Sequence, residues 1–498
     1  MIQRLPVLSV ASELYPLVKT GGLADVAGAL PRALAPHGVR MRSLLPAYPQ
    51  VRAKVRIHGV ALDLGELFGG TARVLQAEAE DLELYLLEAP HLFDRPGGPY
   101  QGPDRADWGD NAERFAALAW AGSRIGLGDL ADFRPRVVHG HDWQAGLLPA
   151  YVDLDDAHQG PRPGTVTTIH NLAFQGQFPA ALLAPLRLPA RAFATDGLEY
   201  YGSLGFLKAG LYYADRITTV SPTYALEIQT PDGGMGMDGL LRDRAHDLVG
   251  ILNGIDLDDW DPMRDPALPR PFGADDPSGK ADAKAAVQRR FGLNEDPGAL
   301  LAGVVSRLSH QKGMDLLESA MGAFLDDGGQ LAVVGSGDAA IEHALGGATL
   351  RYPGRIGVFV GYDEPLAHLV QGGCDAIVVP SRFEPCGLTQ LCALRYGTLP
   401  IVARVGGLAD TVIDANPMAL AAGVATGFQF QPPTATALSG AFERALHLYR
   451  DRPETWRRMR TNALSAPVGW EAAGGAYAGL YRGLGQRAKT DTPSIDDR

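Results

Sequence analysis

The densest chemistry in this 498-residue chain lies in Ser381-Arg382-Phe383-Glu384-Pro385-Cys386-Gly387-Leu388-Thr389-Gln390. The run follows an apolar stretch, residues 376–380, that reads as a buried strand, and it opens a predicted helix over 391–396. A carboxylate therefore stands just past the carboxyl end of a strand. Behind it comes a helix start whose unpaired N–H groups and positive dipole end favour phosphate. A sugar nucleotide needs both, an acceptor for sugar hydroxyls and donors for a pyrophosphate. A glutamate in an ordinary strand-to-helix loop has the same local pattern. A second cluster, Ser306-Arg307-Leu308-Ser309-His310-Gln311-Lys312-Gly313, also lies between a strand and a helix. Arg307 can donate to phosphate as a fork and Lys312 supplies a compact charge, so together they can stabilise a leaving diphosphate. Generic surface loops also carry such a charge pair.

The first half offers three further strand ends with polar groups. Lys19-Thr20-Gly21-Gly22 follows the opening strand, and paired glycines allow a ligand close to the backbone where a helix begins; a structural turn is the alternative. The run is not G-x-G-x-x-G, so it does not imply NAD. Asp142, in Gly140-His141-Asp142-Trp143, can hydrogen-bond a sugar hydroxyl or cap a helix. His170 ends the strand at 165–169, where a purely structural histidine is the alternative. In the second half Arg404-Val405-Gly406-Gly407 echoes the Lys19 run, and Gly406 and Gly407 read as a second anion-accepting helix start.

These residues need elements to hold them. Short apolar strands are expected at 5–11, 39–45, 83–87, 136–139, 165–169 and 216–220, with turns and a helix between 45 and 83. A second series falls at 300–305, 330–334, 355–360, 376–379 and 399–403. Helical patterns lie between them, which is the βαβ alternation of parallel sheets. The fold class is therefore α/β, with two Rossmann-like parallel-sheet domains facing a central cleft. The boundaries are expected at 1–248, 249–460, a terminal helix over 461–485, and a disordered tail at 486–498. The 95–110 segment reads as a surface loop whose Tyr100 and Trp108 serve packing more often than binding. The Gly-rich 230–237 segment reads as mobile. A net charge of -12 argues against a nucleic-acid or anionic-membrane partner. Three cysteines without a CxxC pair fit a reducing, cytoplasmic setting, and no apolar run approaches the ~20 residues of a membrane span.

The run 380–389 closely resembles the donor-site motif of bacterial glycogen synthases and plant starch synthases. Related retaining glycosyltransferases often carry a second glutamate eight positions on, and Cys392 occupies that place here. The Lys19 to Val26 run, the His-Asp-Trp segment, the 205–215 block and the Arg…Lys-Gly cluster are similar to the same family, over about 7–481. The resemblance implies the GT-B architecture and transfer of glucose from ADP-glucose, a co-substrate rather than a cofactor, to an α-1,4-glucan such as glycogen with retention of configuration. It implies that Lys19, Gly21 and Gly22 lie near the donor phosphates and acceptor. It further implies His170 and Asp142 beside the transferred glucose, Glu384 on its hydroxyls, and Arg307 and Lys312 on the diphosphate. Asn253, Cys386, Gly387, Leu388, Thr389, Gly406 and Gly407 would complete the binding surface, with Tyr362 against adenine unless it is an ordinary core tyrosine. No Asp-x-Asp metal site accompanies these residues, so no metal is expected.

Overall fold

The computed structural model describes residues 4–485; the tail expected at 486–498 lies outside the described residues. The chain divides into two compact units. The first comprises the described parts of Met1–Val220, Ala225–Ile251 and Trp470–Arg498, and the second comprises Ser221–Tyr224 with Leu252–Gly469.

The first unit is built on a nine-stranded sheet: β1 (Leu5–Val10), β2 (Val39–Pro46), β3 (Arg56–Glu66), β4 (Thr71–Ala79), β5 (Leu82–Glu88), β6 (Val137–His141) and β7 (Gly164–Ile169), then, beyond a small antiparallel sheet of β8 (Gln177–Pro179), β9 (Glu199–Tyr200) and β10 (Ser203–Gly205), β11 (Arg216–Thr219) and β12 (Leu248–Gly250). The order in the large sheet is β12-β11-β7-β6-β1-β2-β5-β4-β3. All its pairings are parallel except those of β4 with β3 and β5. Strands near the middle, such as Leu5-Pro6-Val7-Leu8-Ser9-Val10, are apolar on both faces because helices cover both faces. Between 45 and 83, where turns and a helix are expected, a one-turn helix at Pro49–Arg52 is followed by the antiparallel ribbon β3–β4, which was not expected. β3 lies at the sheet edge and is mostly exposed, so it shows little apolar periodicity, while β4 alternates exposed and buried as a half-wet strand does.

The second unit holds a six-stranded, wholly parallel sheet of β13 (Leu301–Val305), β14 (Gln330–Gly335), β15 (Ile356–Val360), β16 (Ala376–Val379), β17 (Leu399–Ala403) and β18 (Phe428–Phe430), ordered β15-β14-β13-β16-β17-β18. Both sheets reverse direction of winding once, between β1 and β6 in the first and between β13 and β16 in the second. In open α/β sheets such a reversal leaves a crevice outside the carboxyl ends of the two strands.

The terminal helix starts later than expected. Pro453–Leu464 buries Trp456, Met459 and Ala463 in the second unit's core, and only from Trp470 does the chain belong to the first unit. There Glu471–Gly485 packs Ala473, Tyr477 and Tyr481 against Val26, Leu30 and Leu34 of helix Gly22–Leu34. The 230–237 segment, read as mobile, is tied down: Gly234 donates to Thr230 O at 2.7 Å, Gln175 Nε2 donates to Met235 O at 3.0 Å, and Met237 is buried.

Candidate active site

In the second unit, β13 runs into the loop carrying Arg307 and Lys312, and β16 runs into the loop carrying Glu384. The reversal of winding makes these loops neighbours although 72 residues separate Lys312 from Glu384. The Lys312 Nζ lies 2.6 Å from Glu384 Oε2, and Ser381 Oγ donates to the same oxygen at 2.8 Å. Lys312, Glu384, Gly387, Leu388 and Thr389 line one pocket with Ser306 and Met314. The helix behind it begins at Thr389, two residues before the expected start. Arg307 is exposed at the mouth of the β13 loop, outside that lining, and its guanidinium makes no ion pair among the described residues.

A residue that sequence reasoning passed over braces the two loops. Arg382 forms a fork on both Asp315 carboxylate oxygens at 2.7 Å each, and donates to His310 O at 2.7 Å. Its backbone N–H donates to Gln311 O at 2.9 Å. A charged pair of this geometry aligns the backbone on either side of Lys312 and Glu384. An arginine beside the key glutamate was the available signal.

Several predicted binding residues have other work. The Cys386 side chain is buried beside Asn253, whose backbone and side-chain N–H groups both donate to the sulfur; burial pushes the thiol up to about 12. Asn253 thus supports the Glu384 loop, and its own Oδ1 is buried without a partner among the described residues. Gly406 and Gly407 are not a free anion cradle. The Gly407 N–H donates to Glu384 O and Pro385 O, both at 3.1 Å, and a Cβ on Gly407 would stand 2.3 Å from Cys386 O. Tyr362 is no core tyrosine, being 77% exposed just beyond β15. The glycine turn after β14 is pinned to the Arg307 loop, with Leu308 donating to Ser336 O and Asp338 donating back to Leu308 O.

In the first unit, β1, β6 and β7 are adjacent, so Glu13, Asp142 and His170 come to one edge of the sheet. Asp142 adopts φ 55°, an uncommon backbone for a non-glycine residue. Its side chain makes no cap bond to the following helical turn, so the capping alternative does not hold. Instead its carboxylate accepts from the backbone N–H of His170 at 2.7 Å and from that of Asn171, binding the ends of β6 and β7 together. Burial dominates its titration and, helped by the nearby Glu13 charge, lifts it to about 7 against the pull of the two amides. Burial also drives His170 well below its ordinary value, so its ring is neutral.

Glu13 is the second residue missed. Almost fully buried, it accepts from Thr20 Oγ1 at 2.6 Å and Gly21 N at 3.3 Å, and also from Thr20 N and Tyr100 OH. It thereby shapes the Lys19–Gly22 loop and anchors the 95–110 loop, so Tyr100 is a packing residue. A carboxylate three residues past a strand was legible, but nothing in its neighbours Ser12 and Leu14 pointed to a ligand. Lys19 is exposed and ion-paired with Asp25 at 2.7 Å. Lys208 donates to Thr195 O at 2.6 Å and is structural.

The two glycine pairs make a test. A Cβ on Gly22 meets nothing within 4 Å, whereas one on Gly407 collides with backbone. Gly22→Ala should leave the melting temperature unchanged while raising the donor KM about tenfold, about 1.4 kcal/mol of lost binding. Gly407→Ala should lower both kcat and the melting temperature. Steady-state kinetics beside calorimetry would separate the two, and a normal donor KM in Gly22→Ala would remove that loop from the binding surface.

Asp142 gives a pH prediction. Its folded-state value lies above the ordinary 3.8, so folding holds a proton between the two and stability falls as pH rises through that window. Asp142→Asn lacks this titration. Its melting temperature relative to wild type should therefore climb from about pH 4 to about pH 7 and then level off. A difference independent of pH would return Asp142 to the ordinary carboxylate range.

Two Rossmann-type sheets, each with polar and charged groups at its reversal of winding, make up a glycosyltransferase of the GT-B architecture. Residues 6–243 match the starch synthase catalytic domain family and residues 288–465 match glycosyl transferases group 1. The chain is 56% identical over 481 residues to a glycogen synthase of Rhodopseudomonas palustris strain HaA2, covering 96% of this chain and 99% of the relative. It is 54% identical to a glycogen synthase of Acidiphilium cryptum, covering 97% and 100%. Among solved structures, the catalytic domain of starch synthase IV from Arabidopsis thaliana, bound to ADP and acarbose, superposes with a TM-score of 0.87 at 30% identity, over 97% of this chain and all of that one. The chain belongs to the glycogen and starch synthase family, a family of glucosyltransferases.

Proposed function

We propose that this protein is a glycogen synthase that transfers glucose from ADP-glucose to the non-reducing end of an α-1,4-glucan with retention of configuration. The observation that carries the reading is the Lys312–Glu384 pair in the pocket at the β13–β16 reversal. Glu384 orients the glucose hydroxyls. Lys312, with the exposed Arg307, meets the diphosphate as charge develops on it, and cations already in place there stabilise the departing group. Gly387, Leu388 and Thr389 supply backbone around the phosphates, and Tyr362 offers an exposed ring to the adenine. In the first unit, Asp142 and His170 are the groups suited to the glucose, and the Lys19–Gly22 loop is suited to phosphates and acceptor. ADP-glucose is consumed as a co-substrate rather than held as a cofactor, and the basic side chains Arg307 and Lys312 supply the charge that a metal would otherwise bring to the diphosphate. The family match and the starch synthase neighbour bound to ADP support this donor. Among the described residues no disulfide joins the three buried cysteines, which fits a cytoplasmic setting, and no helix is long and apolar enough to cross a membrane.

The test measures nucleotide release from ADP-glucose and from UDP-glucose, with and without glycogen, beside glucose incorporated into polymer. Glycogen-dependent ADP release with matching incorporation is expected. Preference for UDP-glucose would keep the transfer and overturn the donor. Glycogen binding without turnover of either donor would make the chain a glucan-binding protein.

A further inference from the structure

A line of buried polar groups runs through the first unit to His170. Ser9 Oγ lies 3.1 Å from His141 Nε2, and His141 Nδ1 lies 3.0 Å from His170 Nε2. Ser9 and His141 are completely buried. The Ser9 hydroxyl has no other partner among the described residues, and a buried hydroxyl proton without an acceptor is costly. Ser9 therefore donates to His141 Nε2. A neutral His141 then carries its proton on Nδ1 and donates it to His170 Nε2. His170 is left with its single proton on Nδ1, a nitrogen with no protein partner among the described residues. A second proton on His170 would set N–H against N–H across the 3.0 Å contact. Burial acts in the same direction, pushing His141 down to about 3 and His170 well below its ordinary value. His139 packs against His141 with ring centroids 4.2 Å apart and the planes tilted by 35°. Its own nitrogens are occupied by Tyr481 OH and Thr168 Oγ1, so it steadies the ring without joining the line.

We propose that Ser9 and His141 are positioning residues that hold His170 as the Nδ1–H tautomer, so that it meets an oxygen of the bound sugar as a hydrogen-bond donor. The tautomer stands on the hydrogen bonds alone, while the sugar contact rests on the proposed glucosyl transfer. Nitrogen-15 NMR of histidine-labelled protein reads the tautomer without any substrate, with His170→Gln used only to assign the signal. The wild type should show His170 protonated at Nδ1 and bare at Nε2. In Ser9→Ala the ring should become a mixture of tautomers, and kcat should fall about tenfold with KM little changed, the loss of about one hydrogen bond. His141→Asn, whose amide can donate from the δ position, should retain more activity and more of the Nδ1–H form than His141→Leu. Wild-type His170 protonated at Nε2, or a Ser9→Ala tautomer identical to wild type, would overturn the relay. If the relay stands but no sugar nucleotide is turned over, the fault lies with the proposed function and the tautomer assignment survives.

Discussion

Glu384→Gln is expected to abolish nearly all turnover, lowering kcat on the order of 10³-fold, the scale seen when a charge-stabilising group is removed from a water-poor site. Glutamine keeps the size of the side chain and an oxygen for Ser381 to donate to. It cannot keep the ion pair with Lys312 Nζ. The loop should hold its shape, because Arg382 braces it on Asp315 and Gly407 clamps it through the carbonyls of Glu384 and Pro385. Loss of one part-exposed ion pair costs on the order of 1–2 kcal/mol, so the melting temperature should drop by only about 2–8 °C. Kinetics and calorimetry on one preparation check both halves. Near-normal turnover in a folded variant would take Glu384 out of the mechanism, whereas a collapse in stability would make its role architectural.

Lys312→Ala carries the second large effect, a fall in kcat of about 10²–10³. Two consequences are mixed in it, since the variant loses the cation proposed to meet the diphosphate and leaves the buried Glu384 carboxylate without its counter-ion. They separate by leaving group. An α-glucosyl fluoride donor, supplied with ADP to fill the nucleotide site, has a leaving group with no phosphate to stabilise. If Lys312 acts on the diphosphate, the variant should recover most of its deficit with the fluoride. An equal loss with both donors would assign the residue to holding Glu384. The double variant Glu384→Gln/Lys312→Ala should be little worse than either single one, because residues that act as a unit are non-additive.

Much of this was legible in the residues themselves. Helix-covered strands such as Leu301-Ala302-Gly303-Val304-Val305 are apolar on both faces, so two parallel sheets follow from local pattern. Chemistry-bearing residues just past strand ends point to the edge where such sheets bind ligands, which picked out Lys312, Glu384, Asp142 and His170. The edge ribbon β3–β4 escaped because an exposed strand has no apolar face to write into its sequence.

Tertiary structure alone decided which strand ends meet. Side-chain periodicity is a local property, while strand order is set by packing between segments far apart in the chain. The β13–β16 reversal brings Lys312 onto Glu384, and the β1–β6 reversal brings Ser9 within reach of His141, 132 residues away. The same packing gave Gly407, Asn253 and the Cys386 side chain, read as ligand contacts, the work of supporting the Glu384 loop. It also made Glu13 the buried acceptor that shapes the Lys19–Gly22 loop. A residue's type states which bonds it can make; only the folded chain fixes which partners are near enough to make them.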